Sequence, residues 1–472
     1  MSALWTLSEI RNTAPAAVQT PGQARGDTVV SGISIDTRTL QPGDLFIALQ
    51  GEKIDGAKFV DDAFARGSTA AIASAQYNGP NKDKVFIVSD ALKALEQLAA
   101  AARARTNAKI ITVTGSVGKT STKEMLAHVL SVAGRTHATI GNLNNHIGLP
   151  LTLARMPRDT EFAVLEMGMN HADEIAPLST LARPHIAIIT TVDAVHLEHF
   201  PNVEAIADAK AEIFAGMQPG GTAILNRDNP YYMRLLGHAH AHQLKVLNFG
   251  RVFECDAQVL ETALSETQTQ VRARIGATEI HYTINAPGAH WVLNSLAVLL
   301  AATAAGADLK ISAARLATII PPAGRGTMKK IRLPDGGEIT LMDESYNASP
   351  ASVAASLKTL GQMKPGAQGR RIAALGDMLE LGAHAPALHR QLASHVIESG
   401  ADLLFCCGPL MQELFNQMPP SLRGEWAADS ALLAAALPEY LRDGDVVLVK
   451  GSHGMKMAVI LQALSRQSAE AA

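Results

Sequence analysis

The stretch Ile110-Ile111-Thr112-Val113-Thr114-Gly115-Ser116-Val117-Gly118-Lys119-Thr120-Ser121-Thr122 decides how this chain is read. Its β-branched run predicts a buried strand, and Gly115 to Gly118 a tight loop. A helix is expected over 121–133, with Met125, Leu126, Val129, Leu130 and Val132 at helical spacing and Gly134 as the stop. Strand, glycine loop and helix with Lys119-Thr120 at the turn form a phosphate cradle. Backbone N–H groups and the helix N-terminus bind phosphate, the lysine adds a point charge, and the Thr120 hydroxyl is a ligand for Mg²⁺. The usual pattern has glycine where this chain has Val113, which leaves a shorter Thr114-Gly115-x-x-Gly118-Lys119-Thr120. A chance Gly-Lys-Thr turn is the alternative; the strand before and the helix after favour a nucleoside triphosphate site.

Working outward, 472 residues are enough for several domains with ample core. A net charge of −3 argues against nucleic acid or an anionic membrane as partner. Cys255, Cys406 and Cys407 lack metal-ligand spacing, and the adjacent pair lies in an apolar run, as buried reduced thiols do. No window approaches the ~20 apolar residues of a membrane span, and the N-terminus lacks a charged, apolar leader, so the expected compartment is the cytoplasm.

The residues after the loop alternate as a doubly wound domain does. Strands are expected over 162–165, 186–191 and 222–226, the first running into Glu166 and the second reaching His196. In open parallel sheets ligands sit beyond the carboxyl ends of strands, so Glu166 and His196 project from the same edge as the phosphate loop. A carboxylate bound to a neighbouring loop is the plainer reading of Glu166. The helix expected over 203–217 carries Lys210 within the stripe Val203, Ile206, Ile213, Phe214 and Met217. A lysine there either snorkels or is buried with a lowered pKa, and a neutral amine is open to modification, for instance to a carbamate. Residues 250–285 read as a β-hairpin region, and Gly288-Ala289-His290 precedes a helix on which His290 and Asn294 share a face, as caps or as ligands. Pro321-Pro322-Ala323-Gly324-Arg325-Gly326 reads as a linker carrying one arginine. Beyond it, strands are expected over 339–342, 371–375, 402–405 and 445–449. The first ends in Asp343-Glu344-Ser345-Tyr346-Asn347-Ala348-Ser349-Pro350, with Ser349 as N-cap and Pro350 at the first helical position. Before residue 90 lies a small α/β unit with Ser34-Ile35-Asp36-Thr37-Arg38, where Asp36 and Arg38 read most simply as an exposed pair.

Taken together, these stretches resemble the Mur ligase family of peptidoglycan precursor synthesis. The resemblance covers the whole chain in three parts. It includes the shortened phosphate loop, the run Thr139-Ile140-Gly141-Asn142-Leu143-Asn144-Asn145-His146-Ile147-Gly148-Leu149-Pro150, and Ser345-Tyr346-Asn347-Ala348. The last two are similar to the branch that adds D-alanyl-D-alanine to UDP-MurNAc-tripeptide. The resemblance implies an α/β protein of three domains. A small α/β module over 1–89 would bind the UDP-sugar. A central doubly wound, P-loop ATPase-like domain with a mostly parallel sheet would span 90–322, and a C-terminal Rossmann-like α/β ligase domain 323–472. The implied enzyme is a monomeric ligase with ATP and Mg²⁺ and small-molecule substrates, serving cell-wall biogenesis, cell shape and division.

By the same resemblance Thr114, Gly115, Ser116, Val117, Gly118, Lys119, Thr120 and Ser121 would hold the ATP phosphates. Thr120, Glu166, His196 and a carbamylated Lys210 would serve the metal ions. His290 and Asn294 would lie by the base, Arg325 would reach phosphate on closure, and Asp343, Glu344, Tyr346 and Asn347 would line the nucleotide side. Ser34, Asp36, Thr37 and Arg38 would hold the UDP-sugar, and Asn142, Asn144 and Asn145 would face its peptide. The chain departs from the family pattern at Glu344 (usually Asp), Ser349 (Asn), Thr191 (often Asn) and His453 (Arg). Besides another Mur-type amino acid ligase, a folylpolyglutamate synthase-like ligase and a P-loop switch ATPase, in that order, are the competing readings. The Asp36-Thr37-Arg38 module argues against the first, and the Glu166, His196 and Lys210 set is not needed by the second.

Overall fold

The computed structural model describes residues 3–14, 17–19, 28–51 and 54–470. Among the described residues Trp5–Thr6 and Val29–Val30 form a two-stranded pair near the start of the chain, and three large sheets succeed one another along it. The first is five-stranded, with Gly32–Ser34, Asp44–Ile47, Ala70–Ser74 and Val85–Val88 parallel and Ala17–Gln19 antiparallel at the edge. The N-terminal unit is fastened to the next by long-range bonds, among them the Arg158–Glu9 ion pair. The Trp5 indole donates to Ala154 O at 2.9 Å, and Arg155 Nε to Ile33 O at 2.7 Å.

The central sheet has nine strands. Six run parallel in the spatial order Thr136–Ala138, Phe162–Glu166, Lys109–Thr114, Ile186–Ile189, Thr222–Asn226 and Lys245–Gly250. Ala257–Leu264 continues them in parallel, and Thr269–Ile275 and Thr278–Ile284 extend the sheet antiparallel. Successive side chains of a strand face opposite ways, which divides the core in two. Ile110, Leu165, Ile189 and Leu225 pack toward Ala91–Ala104 and the N-terminal unit. Ile111, Val113, Ile188 and Ile224 pack toward the helices Lys119–Leu130 and Ala289–Ala304. Each such side chain, fully buried, contributes roughly 1.5–3 kcal/mol. The run Ile110–Val113 is therefore a rigid base for the loop at its carboxyl end.

The last sheet has six strands in the order Thr327–Arg332, Glu338–Glu344, Val446–Lys450, Arg371–Gly376, Leu403–Cys407 and Arg423–Ala427. Only the pairing of the first two is antiparallel. Cys406 and Cys407 are buried in one of its strands as free thiols. The α/β architecture in three parts thus agrees with the reading of the sequence.

Several elements differ in extent. The helix after the phosphate loop is Lys119–Leu130, not 121–133: Gly118 at φ +87° is its N-cap, so Lys119 and Thr120 open the helix, and Val132 lies half exposed beyond its end. The Lys210 helix stops at Ala211 and tightens into a 3₁₀ turn, Glu212–Phe214. The expected hairpin region holds three antiparallel strands. Ser349 caps the helix Pro350–Gln362 as expected, its hydroxyl accepting from Ser352 N. Thr136–Ala138, Thr327–Arg332 and Arg423–Ala427 carry polar edge patterns, with little hydrophobic alternation to announce them.

Candidate active site

Three parallel strands end side by side in the central sheet. Val113 stands opposite Glu166, and Thr114 opposite Ile189. Strand order reverses about Lys109–Thr114, so its carboxyl end opens into the crevice where doubly wound sheets take ligands. The loop there is pinned from the neighbouring strand end. Thr190 Oγ1 donates to Val117 O at 2.6 Å, and Ser116 Oγ donates to Asp193 O at 3.1 Å while accepting from Asp193 N at 2.9 Å. Gly115 is required here: at φ +149°, a Cβ on it would lie 2.0 Å from Thr190 Oγ1. Lys119 Nζ donates to Gly115 O at 2.7 Å. Burial lowers its pKa, Glu166 opposes that shift, and Arg325 adds to it. Thr114 is buried beneath the loop and Thr120 and Ser121 are buried in the first turn of its helix.

A cavity of about 610 Å³ lies between this edge and the C-terminal sheet. Ser116 to Ser121, Asn142, Asn144, Glu166, His196, His290 and Asn294 line it from the central domain, and Arg325, Glu344, Tyr346, Asn347, Glu380 and Lys450 from the other side.

Glu166 is 1% exposed. Its Oε1 accepts from Asn144 Nδ2 at 2.7 Å, whereas its buried Oε2 has no hydrogen-bond partner. A desolvated carboxylate oxygen without a donor, beside a phosphate loop, fits a hard cation. Among the described residues no three His, Cys, Asp or Glu side chains gather into a cage. Glu166 alone fits the way Mg²⁺ is held, by one or two carboxylates with waters and substrate phosphates.

His196, in the left-handed region at φ +55°, is bonded through Nδ1 to Glu380 Oε2 at 2.5 Å. Lys210 is 2% exposed and is not among the residues that line the cavity. Its ammonium makes no hydrogen bond or salt bridge with a described residue. Burial, chiefly, and the Lys119 charge push its pKa well below that of an ordinary lysine, against Glu212. Burial rather than snorkelling is therefore the fate of this side chain.

Burial lowers the His290 pKa, and its Nδ1 has no partner. The Asn294 amide packs on Gly118, where a Cβ would come within 2.9 Å of Nδ2. Neither side chain caps its helix, whose N-cap is Gly288.

The C-terminal residues divide by role. Asp343 accepts from Gly324 N at 3.2 Å, Ser345 N at 3.1 Å and Ser345 Oγ at 2.7 Å, so it fastens the linker and does not line the cavity. Glu344 does line it. Its Oε2 lies 3.5 Å from Lys450 Nζ, and its Oε1 is buried without a partner. Lys450 also donates to Asn347 O at 3.0 Å, and burial lowers its pKa against the Glu344 charge. The Arg325 guanidinium stacks 4.0 Å over the Tyr346 ring, poised at the cavity.

Other candidates lie elsewhere. Ser34, Asp36, Thr37 and Arg38 are outside this cavity: Arg38, with its side chain 86% exposed, pairs with Asp36 at 2.6 Å, and Ser34 Oγ donates to Asp36 O at 2.9 Å. Asn145 turns its Oδ1 to Ile147 N and Gly148 N and acts as a local cap. Sequence reasoning did not single out Thr190, Glu380 or the pairing of Lys450. Glu380 lies just past the strand Arg371–Gly376, so the strand-end rule that found Glu166 was available for it too.

Comparison with known proteins now adds to the geometry. Residues 29–115 match the Mur ligase family catalytic domain, 113–302 the Mur ligase middle domain, and 328–453 the Mur ligase glutamate ligase domain. The chain is 35% identical over 442 residues to the UDP-N-acetylmuramoyl-tripeptide–D-alanyl-D-alanine ligase of Bacillus subtilis, covering 93% of each chain. Its structure is similar to MurF from Acinetobacter baumannii (TM-score 0.85, 27% identity, 98% of this chain and 99% of that one). It is also similar to the MurF ligase of Thermotoga maritima in complex with ADP (TM-score 0.80, 25% identity, 95% and 100%).

Proposed function

The chain belongs to the Mur ligase family, and from that premise we infer that it is an ATP-dependent amide ligase. It joins D-alanyl-D-alanine to the tripeptide carboxylate of UDP-MurNAc-tripeptide, giving the pentapeptide, ADP and phosphate. The observation that carries this reading is the interdomain cavity, in which a pinned phosphate loop faces cationic and carboxylate groups of a second α/β domain.

A carboxylate is a poor acyl donor, because oxide is a poor leaving group. Attack of a carboxylate oxygen on the γ-phosphorus of ATP forms an acyl phosphate and releases ADP. The dipeptide amine then adds to the acyl carbon, loses its proton and expels phosphate. Both steps bring anions together, so the site must supply positive charge. Lys119 and the loop N–H groups answer that need from the central domain, and Arg325 from the linker. Thr120, Glu166 and His196 would hold Mg²⁺, which would supply charge neutralisation at the phosphates. Lys210, depressed in pKa and without a partner among the described residues, is open to CO₂: its neutral nitrogen bonds to the carbon and releases a proton, leaving a carbamate anion. That anion would offset Lys119 and serve a second metal ion. His290 and Asn294 lie at the base end, and enclosure by both domains keeps water from the acyl phosphate.

Residues 1–89 serve the UDP-sugar through Ser34, Asp36, Thr37 and Arg38, with Asn142, Asn144 and Asn145 toward the peptide. Residues 90–322 serve ATP, and 323–472 the ligation step. Among the described residues no helix is long and apolar enough to cross a membrane. We read the enzyme as a cytoplasmic monomer, working where ATP is held.

The test is phosphate release from ATP with UDP-MurNAc-tripeptide, with and without D-alanyl-D-alanine. Release that needs both is the expected result. Turnover indifferent to both would return the chain to a P-loop switch.

A further inference from the structure

The strongest contact that the ligation chemistry leaves unexplained crosses between two domains. His196 Nδ1 and Glu380 Oε2 lie 2.5 Å apart, 184 residues distant in sequence. Both residues adopt left-handed backbone, at φ +55° and +63°, a conformation costly for a side chain other than glycine and found where surrounding structure enforces it. The surrounding structure does enforce it. Glu198 N donates to Glu380 O at 3.2 Å, and Gly382 approaches so closely that a Cβ there would lie 3.1 Å from Glu198 Cα.

The loop carrying Glu380 is built to hold it still. Asp377, buried, accepts from Met411 N at 2.7 Å and Leu410 N at 3.2 Å. Met378 N donates to His389 Nε2 at 2.9 Å, and Leu379 N donates to Ser452 Oγ at 2.8 Å. Of these residues only Leu379 and Ser452 also line the cavity; together the bonds aim one carboxylate at one imidazole.

We propose that Glu380 is a positioning residue: the C-terminal domain supplies the carboxylate that fixes the tautomer of His196. An ionised carboxylate only accepts, so Nδ1 is the donor in this contact, and Nε2 is the ring atom left to carry the lone pair of a neutral imidazole. His196 lines the cavity, and its Nε2 has no hydrogen bond to a described residue. With Glu166 Oε2 it makes two unpartnered acceptors at one sheet edge. Acceptors left facing each other's cavity call for a cation. A histidine that ligates through one nitrogen is ordinarily oriented by a carboxylate on the other. Here that carboxylate arrives from another domain. The consequence is that the central domain alone presents a loosely held imidazole, and docking of the C-terminal domain completes the metal–nucleotide site. Closure and site assembly are one event.

The inference rests on the ligase reading, and its test separates the two. Mn²⁺ affinity is measured by electron paramagnetic resonance on full-length protein holding a non-hydrolysable ATP analogue, for wild type, Glu380→Ala and Glu380→Gln. The glutamine keeps a carbonyl oxygen to accept from Nδ1–H. Glu380→Ala is expected to weaken Mn²⁺ about 10-fold or more, Glu380→Gln only a few-fold, and scattering from the alanine variant should show a more open particle. Wild-type affinity in Glu380→Ala would overturn the proposal, as would equal losses in both variants. Thermal unfolding of the variants checks that each still folds. Wild-type protein that fails to bind the Mn²⁺–analogue pair would instead sink the ligase reading.

Discussion

Replacing Lys210 by methionine should stabilise this protein while disabling it. The side chain is 2% exposed, its nitrogen makes no hydrogen bond or salt bridge with a described residue, and Lys119 adds repulsion. Each unit by which burial depresses its pKa costs about 1.4 kcal/mol of folding stability below that range. Buried ionic groups replaced by apolar side chains of similar volume gain about 1–4 kcal/mol, and methionine has an unbranched chain of nearly the same reach. In a domain of this size that is a rise in Tm on the order of 5 °C.

The pH dependence has a definite sign. The unfolded lysine binds a proton below about pH 10.4, and the folded one, with its depressed pKa, binds it less. Wild-type stability therefore climbs as pH rises toward that value, and the advantage of Lys210→Met shrinks with it. Carbon dioxide acts in the same direction: carbamate formation turns the uncompensated amine into a partner for Lys119. The assay is thermal unfolding of both proteins in CO₂-depleted and bicarbonate-saturated buffer at pH 7 and pH 9.5. Bicarbonate should raise the wild-type Tm and leave Lys210→Met unmoved. A Lys210→Met protein that melts at or below wild type in CO₂-depleted buffer refutes the burial argument. A bicarbonate response shared by both refutes the carbamate.

Other contacts yield three shorter predictions. Gly115→Ala places a methyl 2.0 Å from Thr190 Oγ1, so the bond to Val117 O must open; calorimetry should show at least about 10-fold weaker binding of an ATP analogue, or about 1.4 kcal/mol, and unchanged affinity would show that the loop tolerates the displacement. Glu344→Gln strips the buried Lys450 of its carboxylate, and urea unfolding should register a loss of about 3 kcal/mol, most of it regained by adding Lys450→Met; no regain would mean the charge was not the cause. Burial lowers the pKa of His137 and His389, so each folded ring stays neutral where its unfolded counterpart, at about 6.5, binds a proton. Stability present above pH 6.5 should then be lost as pH falls toward the folded values, by up to about 1.4 kcal/mol per unit for each, and a flat urea midpoint from pH 7.5 to 5.5 would contradict it.

Much of the site was legible in the sequence because its residues obey a local rule. Lys119, Thr120 and Glu166 each stand at or just past the end of a strand of unbroken β-branched and apolar residues, and parallel strands deliver the residues at their carboxyl ends to one edge. Lys210 was legible as an anomaly, a charge on an apolar stripe. The helix bounds were less so, since a glycine cap at Gly118 and a 3₁₀ turn after Ala211 depend on backbone angles that composition does not dictate. The polar edge strands Thr327–Arg332 and Arg423–Ala427 were not legible, because an edge strand with one solvated face has no periodic core to display.

Sequence cannot separate a polar residue that is satisfied from one that is waiting. Asp343 and Glu344 are adjacent acids in one motif, both buried. Asp343 spends its oxygens on Gly324 and Ser345, which fixes the turn that aims Arg325; Glu344 lines the cavity and keeps Oε1 buried and unpaired. The same division holds between Asn145, bonded to its own backbone, and Asn144, which orients Glu166. A buried acceptor without a donor costs about 1–3 kcal/mol, and folding tolerates that cost where a ligand removes it. Glu166 Oε2 and Glu344 Oε1 are two such atoms, and His290 Nδ1 is a third buried atom without a partner; their residues line one cavity and come from two domains. Their convergence is a property of the closed chain, which no single stretch of sequence displays.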